Sequence, residues 1–436
     1  MRGRARLAAL CGLIATIPGV LAGFDPVASN NIAIYWGQNS INRAQGGQQR
    51  LATYCSNTSV NIIPLAFLTT IKNPTSVNFA NAGDNCTTFS GTQLLRCPEI
   101  EQDILACQAL NKSILLSLGG ATYTEGGFAS PSEATTWAAT LWSMFGPPPP
   151  PPSNTTTTTT TTTTTNNSTT NSTATAAAPL RPFGAASVDG FDMDFEAPSA
   201  NMAAFVSALR GHMDAAAATQ TSGGEKTRKF LLSAAPQCPF PDAAMREMLE
   251  GVGFDFVSVQ FYNNYCGAPG FVSGPGGPGN FNFGTWDEWA RNGSVNKGVK
   301  VLVGLPGSTT AAGSGYVSGE QLKAVVQYAR GFESFGGVMV WDMSQVYGNP
   351  GFLDSVVSAL GGQLPGTTST STTASSTPSS TMMPTRTPTT TTSGTPPTGT
   401  LVPHWGQCGG REFLGSTQCE PPYTCVFVGD WWSHCA

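Results

Sequence analysis

Short apolar runs recur along residues 32–341 and limit the folds that this chain can adopt. Most of them are uninterrupted rather than alternating, which is typical of parallel strands buried on both faces. Between several runs lie helical patterns, such as Leu322, Val325 and Val326, with apolar residues at i, i+3 and i+4. The eight runs are 32–36, 62–68, 114–118, 191–196, 230–235, 256–262, 299–305 and 338–341. Eight strand–helix repeats over about 300 residues predict an α/β fold of the (β/α)8, or TIM barrel, type.

A doubly wound open sheet is the alternative that such a pattern permits. That fold usually has a Gly-rich phosphate-binding loop after its first strand, and the residues after Trp36 do not form one. In a barrel, functional side chains lie where the strands end, at the C-terminal face. The residues that end or flank strands one, four, six and eight are therefore expected to share one rim: Tyr35, Gln38, Glu196, Gln260, Tyr262 and Trp341.

The fourth run carries three acids. As a strand with period 2, it places Asp192, Asp194 and Glu196 on one face and apolar residues on the other. Carboxylates about 6–7 Å apart repel, and burial disfavours their ionisation. Such a stretch can hold a carboxylic acid protonated near neutral pH, as general acid catalysis requires. The alternative is that the acids are solvated at the strand end or cap the next helix.

Composition excludes several classes of function. Charged residues make up only 11% of the 436 residues, the net charge is −5, and no basic run occurs, so we expect no nucleic-acid partner. The three histidines are His212, His404 and His434, and two of them lie near the C-terminus. A Ser/His/Asp triad or a His-rich metal site in the barrel is therefore not expected. We expect no metal and no cofactor.

The N-terminus predicts export. Three arginines within residues 2–6 precede an apolar run over 7–17, and small residues follow, so residues 1–22 are interpreted as a signal peptide. The run is too short to span a bilayer, and no membrane association is expected. Of 11 cysteines, Cys11 leaves with this segment, and the remaining even number fits an oxidising compartment. Sequons for N-glycosylation occur at Asn57, Asn85, Asn111, Asn154, Asn166, Asn167, Asn171 and Asn292.

Two low-complexity segments divide the rest of the chain. Residues 147–178 are Pro-rich and then Thr-rich, and are interpreted as a loop insertion within a barrel domain of residues 23–362. This insertion precedes strand four, so we expect it at the face opposite the site and outside it. Residues 363–402 are rich in Ser, Thr and Pro and predict an extended, O-glycosylated linker.

Residues 403–436 form a small, β-rich module in this interpretation. They contain four cysteines and are too few to build a self-sufficient core, so disulfides must stabilise them. Trp405, Trp431 and Trp432 stand in a polar background. They predict either a flat stacking surface or a miniature core.

Several ordered motifs resemble glycoside hydrolase family 18, the chitinase family, and most closely its class III and fungal endochitinase members. The matching segments are 34–39 (IYWGQN), 117–120 (SLGG), 187–196 (SVDGFDMDFE), 235–239 (APQCP), 260–264 (QFYNN) and 340–341 (VW). The resemblance implies a retaining reaction in which the N-acetyl group of the substrate acts as the nucleophile. Residues 403–436 resemble a family 1 carbohydrate-binding module through the segment HWGQCGG and the cysteine spacing.

The resemblance implies a role for each site residue. Glu196 would protonate the glycosidic oxygen, Asp194 would orient the acetamido group, and Asp192 would share a proton with Asp194. Tyr262 would bind the acetamido oxygen, and Trp341 would form the floor beneath the sugar, although both could instead be core residues. Further substrate-binding residues are Tyr35, Gln38, Gln260 and Asn263, and in the module Trp405, Trp431, Trp432 and His434.

The resemblance also implies covalent features that spacing alone leaves open. In the barrel it pairs Cys55 with Cys107, Cys86 with Cys97, and Cys238 with Cys266, and in the module Cys408 with Cys425 and Cys419 with Cys435. It further implies non-proline cis peptides at Ala66–Phe67 and Trp341–Asp342.

The function implied is that of a secreted, monomeric endochitinase, extracellular or associated with the cell wall. Its substrates would be chitin or chito-oligosaccharides, and the module would bind an insoluble polysaccharide. Gly429 and His434 stand near positions where the module family usually has Asn and Gln, so chitin and cellulose both remain candidates. Two alternatives stay open: an endo-β-N-acetylglucosaminidase acting on N-glycans, and a non-catalytic chitin-binding lectin.

Overall fold

The computed structural model describes residues 23–43, 47–72, 74–148, 161–165, 168–172, 179–220, 229–275, 277–362, 401–402, 407–409, 416–429 and 432–435. The predicted signal peptide, nearly all of the linker and parts of the insertion and of the module lie outside these residues. The strands are β1 (Asn31–Ile34), β2 (Ile62–Thr70), β3 (Ser76–Val77), β4 (Thr87–Thr88), β5 (Leu95–Arg96), β6 (Ser113–Gly119), β7 (Thr161–Thr165), β8 (Ser168–Ser172), β9 (Gly190–Asp194), β10 (Leu231–Ala234), β11 (Phe256–Gln260), β12 (Lys300–Pro306), β13 (Phe335–Trp341), β14 (Gln407–Gly409), β15 (Cys425–Gly429) and β16 (Trp432–Cys435).

Helices alternate with most of these strands. They are α1 (Leu51–Cys55), α2 (Pro98–Ala109), α3 (Pro131–Phe145), α4 (Met202–Gln220), α5 (Arg246–Gly251), α6 (Phe283–Glu288), α7 (Gly319–Ala329), α8 (Met343–Tyr347) and α9 (Phe352–Ala359). The sequence sets their ends in recognisable ways. At α3, Pro131 occupies the first turn, and the hydroxyl of Ser130 accepts a hydrogen bond from the N–H of Glu133 at 3.1 Å, which satisfies a free helical donor.

Eight parallel strands form a closed barrel. Their order around the barrel is β1, β13, β12, β11, β10, β9, β6 and β2, and the pairing of Ala33 in β1 with Ile62 in β2 closes the circle. The predicted (β/α)8 fold is confirmed. Because all strands run the same way, the ends of β1, β2, β6, β9, β10, β11 and β13 meet at one rim.

Two apolar layers stabilise the barrel. The interior contains a cluster with Leu115, Leu231, Phe256, Leu302 and Met339, contributed by different strands. A larger layer lies between the strands and the surrounding helices. There α4 buries the whole apolar stripe that predicted it: Met202, Phe205, Val206, Leu209 and Met213. Burying each such side chain contributes about 1.5–3 kcal/mol, so these layers hold the rim in a fixed geometry.

Strand β9 ends earlier than the sequence predicts. The apolar run was expected to continue to Glu196, but the strand stops at Asp194. Its neighbour β6 stops at Gly119, and the N–H of Gly120 already turns to bond the carbonyl of Asp194 at 2.7 Å. Without a partner strand, residues 195–196 leave the sheet, and Glu196 lies two residues beyond its end.

The insertion differs from the expected loop. Its described residues form an antiparallel hairpin of β7 and β8, in which Thr161 pairs with Ser172 and Thr165 with Ser168. Threonine is β-branched and favours extended backbone, which accounts for strands in a segment without a core. The hairpin lies between α3 and β9 in the chain, so it belongs to a connection at the N-terminal face.

Five disulfides join the pairs that the resemblance implies. In the barrel they are Cys55–Cys107, Cys86–Cys97 and Cys238–Cys266, and in the module Cys408–Cys425 and Cys419–Cys435. The module has an antiparallel sheet in the order β14, β16, β15. The two cystines therefore act on a small β-rich unit, as predicted.

Membrane-spanning helices do not occur in the part of the chain that the structure describes. Each helix there is too short or too polar to cross a bilayer.

Candidate active site

Asp192 lies inside the barrel and is held by three hydroxyl groups. The hydroxyls of Tyr35 and Ser117 donate to its Oδ2 at 2.7 Å each, and that of Ser233 donates to Oδ1 at 2.6 Å. The side chain is 1% exposed. Burial raises the pKa of Asp192, and the three hydrogen bonds oppose this rise by stabilising the charged form.

Asp194 lies two residues after Asp192 in β9, nearer to the rim, and is 4% exposed. The Gln260 amide donates to its Oδ1 at 2.9 Å and, with the other hydrogen, to the carbonyl of Ala235 at 2.9 Å. Burial, followed by the negative charges of Glu196, Asp192 and Asp242, holds the pKa of Asp194 well above its ordinary value. Its protonated form is therefore favoured in comparison with an ordinary aspartate.

Glu196 lies at the mouth of the barrel. Part of its side chain is exposed to solvent, unlike the two aspartates beneath it. Partial burial of the carboxyl and the charge of Asp242 raise the pKa of Glu196, while the nearby Gln260 amide lowers it. Because Glu196 and Asp194 repel when both are charged, they titrate as a pair that retains a proton.

A close approach of backbone fixes this geometry. Gly119 at the end of β6 has φ +110°, and a Cβ atom there would lie 2.4 Å from the carbonyl oxygen of Asp194. Only glycine fits such a contact, so the SLGG segment provides close packing beside the acids rather than a nucleophile. Ser117 of the same segment instead binds Asp192.

Tyr262 follows β11 and is almost fully buried next to the acids. Burial and the charges of Asp194, Glu196 and Asp192 hold the pKa of Tyr262 well above its usual range. Its hydroxyl therefore stays protonated and can donate a hydrogen bond. Gly315, with φ +109°, lets the loop before α7 lie against it, since a Cβ there would be 2.3 Å from the Tyr262 Cβ.

An aromatic floor lies beside the carboxyl groups. The Trp341 ring stacks on Phe67 with centroids 5.7 Å apart and lies 5.5 Å from Tyr35. Trp341 remains partly exposed, and both Ala66–Phe67 and Trp341–Asp342 are cis, as the resemblance implies. A partly exposed indole over buried rings offers an apolar face that fits the C–H face of a sugar.

Two predicted substrate-binding residues are largely occupied with protein contacts. The Gln38 amide donates to the carbonyls of Ala66 at 2.9 Å and Asn78 at 3.0 Å. Asn263 accepts from the Ser314 N–H at 3.1 Å through its side-chain oxygen. Both residues are at the rim, and both hold neighbouring loops in place. Their contact with a substrate stays a prediction.

Ser233 and Asp242 near the acids were not singled out from the sequence, and Phe67 was indicated only through the cis bond before it. Ser233 lies in an apolar strand, where nothing marks it as a hydrogen-bonding partner of the acids. Asp242 follows the motif APQCP by three residues, and an aspartate directly after a proline is a turn signal, in agreement with its bonds to the N–H groups of Ala244 and Met245. That signal gives the local structure of Asp242 but not its proximity to Glu196.

Asp189, at the start of the acidic run, has a structural role. Its carboxylate accepts from the Gln108 amide at 2.9 Å and from the Ile114 N–H at 2.8 Å. These bonds fix the start of β6 at the opposite end of the barrel from the acids, which agrees with its being out of phase with them.

The predicted binding residues of the module are only partly described. Trp405 and Trp431 lie outside the described residues. Trp432 and His434 lie in β16, where His434 pairs with Gln407 on one side and Val426 on the other.

Side chains of types that can bind metals lie close together at one place among the described residues. The sulfur atoms of Cys408, Cys419 and Cys435 lie within 4.8 Å of one another. All three belong to disulfide bonds, so they do not fit a metal ion.

The barrel site combines an exposed acid whose pKa is raised with a buried second carboxyl of raised pKa and a neutral phenol. The lysines and arginines that the structure describes form no ion pair with Asp192, Asp194 or Glu196. Such a site can donate a proton to a leaving group and stabilise positive charge that develops beside Asp194.

Comparison with known proteins identifies the family. Residues 31–329 match the model of the glycosyl hydrolases family 18. The chain belongs to this family. Residues 404–432 match the fungal cellulose binding domain, so both predicted resemblances are confirmed. The chain is therefore a glycoside hydrolase with an attached carbohydrate-binding module.

Relatives of this hydrolase cover most of its length. It is 47% identical over 355 residues to Endochitinase 33 of Trichoderma harzianum, covering 81% of this chain and 99% of that protein. It is 42% identical over 352 residues to the class III chitinase of Arthroderma benhamiae, covering 80% and 91%. Among solved structures, a xylanase and α-amylase inhibitor protein from Scadoxus multiflorus is 26% identical with a TM-score of 0.53, covering 77% and 99%.

Proposed function

We propose that this hydrolase is a secreted endochitinase that cleaves β-1,4 bonds between N-acetylglucosamine units with retention of the anomeric configuration. The names of the two fungal relatives, an endochitinase and a class III chitinase, support chitin as the substrate. The predicted leader and the five disulfides support an oxidising, extracellular location.

The observation that carries the mechanism is the division between one accessible acid and two enclosed aspartates. Glu196 alone is exposed at the mouth, while Asp192 is saturated by three hydroxyls and Asp194 lies beneath. Of the three acids that the structure describes at the site, none besides Glu196 is thus accessible enough to attack the sugar as in a two-carboxylate retaining enzyme. The acetamido group of the substrate then supplies the nucleophile.

In this mechanism each residue has one task. Glu196 gives its proton to the glycosidic oxygen as the bond breaks, and the acetamido carbonyl attacks the anomeric carbon. Asp194 accepts the acetamido N–H and stabilises the positive charge of the resulting oxazolinium ion, while Asp192 tunes Asp194. The Tyr262 hydroxyl donates to the acetamido oxygen, and Trp341 supports the sugar. Glu196 then takes a proton from the water that opens the intermediate.

An open groove supports internal cleavage of long chains. The connection between β12 and β13 holds α7 and short loops only, and it provides no additional domain that could wall a tunnel. The module would tether the enzyme to an insoluble polysaccharide and raise its local concentration there. Chitin and cellulose are both candidates for the insoluble polysaccharide that the module binds.

The proposal is tested on soluble chito-oligosaccharides with the anomers of the products followed by NMR. We expect initial β-anomers from the wild type and a loss of about 10³-fold in turnover for Glu196→Gln. Initial α-anomers would contradict substrate assistance, and unchanged turnover in Glu196→Gln would contradict the assignment of the acid.

Two other functions are separated by the same assay. Cleavage of high-mannose glycopeptides but not of chitin would favour an endo-β-N-acetylglucosaminidase. Binding without cleavage would favour a lectin. The inhibitor protein from Scadoxus multiflorus shows that this fold also serves proteins named for inhibition, so turnover has to be measured.

A further inference from the structure

The position of Glu196 depends on contacts outside the barrel sheet. Strand β9 ends at Asp194, and Glu196 itself is exposed at the mouth of the barrel. A general acid must lie within hydrogen-bond reach of the oxygen that it protonates, and an error of about 1 Å can cost on the order of 100-fold in rate. The contacts that flank Glu196 therefore decide whether its proton reaches the glycosidic bond.

A loop that follows β6 contacts the chain immediately before Glu196. This loop, residues 120–128, is called the β6 loop below. The ring of Tyr123 in the loop meets the ring of Phe195 edge-on, with centroids 4.9 Å apart. Phe195 is 1% exposed and Tyr123 is 3% exposed. Because both rings are enclosed, their contact fixes the direction in which the chain leaves β9.

The same loop holds the chain after the proposed general acid. The N–H of Ala200 donates to the carbonyl of Gly126 at 2.9 Å, and the carbonyl of Ala200 accepts from the N–H of Phe128 at 2.9 Å. Gly127 lies between these two bonds with φ +85°, and a Cβ atom there would lie 2.1 Å from the Ala200 carbonyl oxygen. The acid thus lies in a segment, 195–200, whose two ends are both bound to the β6 loop.

Glu125 fastens the β6 loop to the neighbouring turn between β2 and β3. Its carboxylate accepts from two consecutive N–H groups, those of Ile71 at 2.5 Å and Lys72 at 3.0 Å. The ammonium group of Lys72 in return donates to the carbonyl of Gly127 at 2.6 Å. Hydrogen bonds that include a charged group are stronger than neutral ones, so these three contacts join two loops of the rim firmly.

The start of α3 does not depend on this link. The hydroxyl of Ser130 accepts from the N–H of Glu133, and the Glu133 carboxylate accepts from the N–H of Ala129 at 2.7 Å. These bonds satisfy the free donors at the helix end. Glu125 instead holds the part of the loop, residues 123–127, that contacts the chain on both sides of the acid.

We propose that Glu125 is a positioning residue for the general acid: by fastening the β6 loop to the turn after β2, it keeps Glu196 within reach of the glycosidic oxygen. This inference rests on the proposed role of Glu196 as the proton donor. The effect is transmitted by the two contacts described above, one on each side of Glu196. Loss of the link impairs proton donation, whereas the nucleophile belongs to the substrate and is unaffected.

The test uses the leaving group of the substrate as its probe. A chito-oligosaccharide leaves as an alcohol and needs a proton, whereas dinitrophenolate leaves from dinitrophenyl chitobioside without one. For Glu125→Ala we expect kcat/KM, which reports bond cleavage, to fall about 10- to 100-fold on chito-oligosaccharides and less than about threefold on the dinitrophenyl substrate. Equal losses on both substrates, or wild-type kinetics in the folded variant, would overturn the proposal.

Variants of Tyr123 test the contact that transmits the effect. Tyr123→Leu removes the ring that meets Phe195, so it should show the same dependence on the leaving group. Tyr123→Phe keeps the ring and should restore the wild-type ratio of kcat/KM between the two substrates. A wild-type ratio in Tyr123→Leu would contradict transmission through Phe195.

A matched control is Glu133→Gln. Glu133 belongs to the same connection between β6 and α3 and also binds a backbone N–H, but it does so at the start of the helix. This variant should lose stability and keep the wild-type ratio of kcat/KM between the two substrates. A ratio shifted as far as that of Glu125→Ala would reduce the role of Glu125 to general stability of the connection and overturn the proposal.

A double variant covers the case in which Glu125→Ala does not fold. Glu125→Gln keeps the shape and one acceptor oxygen, and should give a smaller change in the same direction. In the Glu196→Gln background it should cause no further loss on chito-oligosaccharides, because the proton that it positions is already missing. An additive loss would overturn the proposal. Failure of the proposed function would appear separately, as full activity in Glu196→Gln alone.

Discussion

Buried carboxylates inside the barrel and those in its outer layer differ in the groups that bind them. The outer ones are paired with cations: Arg50 with Asp103 at 2.5 Å, Arg210 and Lys229 with Asp255 at 2.9 and 2.6 Å, and Arg291 with Asp287 at 2.8 Å. The inner ones, Asp192 and Asp194, receive only hydroxyl and side-chain amide donors. Aspartate thus forms ion pairs in the outer layer, whereas inside the barrel burial raises its pKa and favours the protonated form.

The choice of partner decides which protonation state is favoured. An adjacent cation stabilises a carboxylate, and for Asp287 hydrogen bonds from Ser334 together with Arg291 lower the pKa despite burial. Neutral donors stabilise the charge less, so burial and mutual repulsion dominate at Asp194. A site that must donate protons near neutral pH is therefore built without arginine or lysine partners.

The largest expected effect is that of Asp194→Asn. Turnover should fall by about 10³-fold, because the positive charge of the intermediate loses its counter-charge. The fold should become more stable at neutral pH. Native Asp194 holds its proton to higher pH than the unfolded chain, so the wild-type free energy of unfolding falls as pH rises from about 4 through the raised pKa. Kinetics measure the loss of turnover and urea unfolding measures the gain in stability. A variant less stable than the wild type at neutral pH would contradict the distinction between inner and outer carboxylates.

Asp255→Asn should have the converse effect. Arg210 keeps its second partner, Asp214, at 2.8 Å, but Asp255 can no longer pair with Arg210 and Lys229, and this should cost about 2 kcal/mol of unfolding free energy. The site lies at the start of β11, at the opposite end from the acids, so kcat should stay within twofold. Urea unfolding and chito-oligosaccharide kinetics provide the measurement. A large loss of turnover in the correctly folded variant would show that the outer pairs also serve catalysis.

Ser233→Ala should have an intermediate effect. It removes one of the three hydroxyl donors to Asp192 and should cost about 1.5 kcal/mol of stability and several-fold in kcat. The loss of a donor raises the proton affinity of Asp192 further. Ser258→Ala, at a buried strand position in β11, is the control. Equal kinetics for the two variants would argue that the hydroxyls around Asp192 serve packing alone.

The smallest expected effect concerns acid sensitivity. Since the pKa of Asp287 is lowered in the fold, its stabilisation is present above its unfolded value of about 3.9 and is lost as pH falls through the lower folded value. Asp287→Asn should therefore flatten the acid side of the stability curve, whereas Asp194→Asn should flatten its neutral side. The urea concentration at the midpoint of unfolding, measured for both variants from about pH 2.5 to 8, tests these two expectations. Identical curves would contradict the distinction between inner and outer carboxylates.

Local patterns predicted much of this architecture. The apolar runs located all eight barrel strands, because strands buried on both faces must be apolar throughout. Period 2 in the acidic run placed Asp192 and Asp194 on the inner face correctly. It extended the strand two residues too far, to Glu196, because a strand ends where its neighbours stop pairing. That limit is set by Gly119 at the end of β6 and by Gly120 directly after it, which are remote in sequence.

Other features depend on contacts that no local pattern encodes. The sequence indicates Asp242 only as a turn residue before α5. Its charge raises the pKa of Glu196 only because the loop after β10 folds beside the end of β9. Gln38 and Asn263 were predicted to bind substrate from the motifs that contain them. Their side chains also bond neighbouring loop backbone, which depends on how those loops approach each other, and their contact with a substrate stays a prediction.

The Cys238–Cys266 bridge joins the loop that carries Asp242 to the loop that carries Tyr262 and Asn263. While these thiols are reduced, the eight strands can close but the two loops above them are held only by weaker contacts. Closure of this one bond, between residues 28 positions apart in the chain, therefore limits how far the walls on two sides of the cleft can separate.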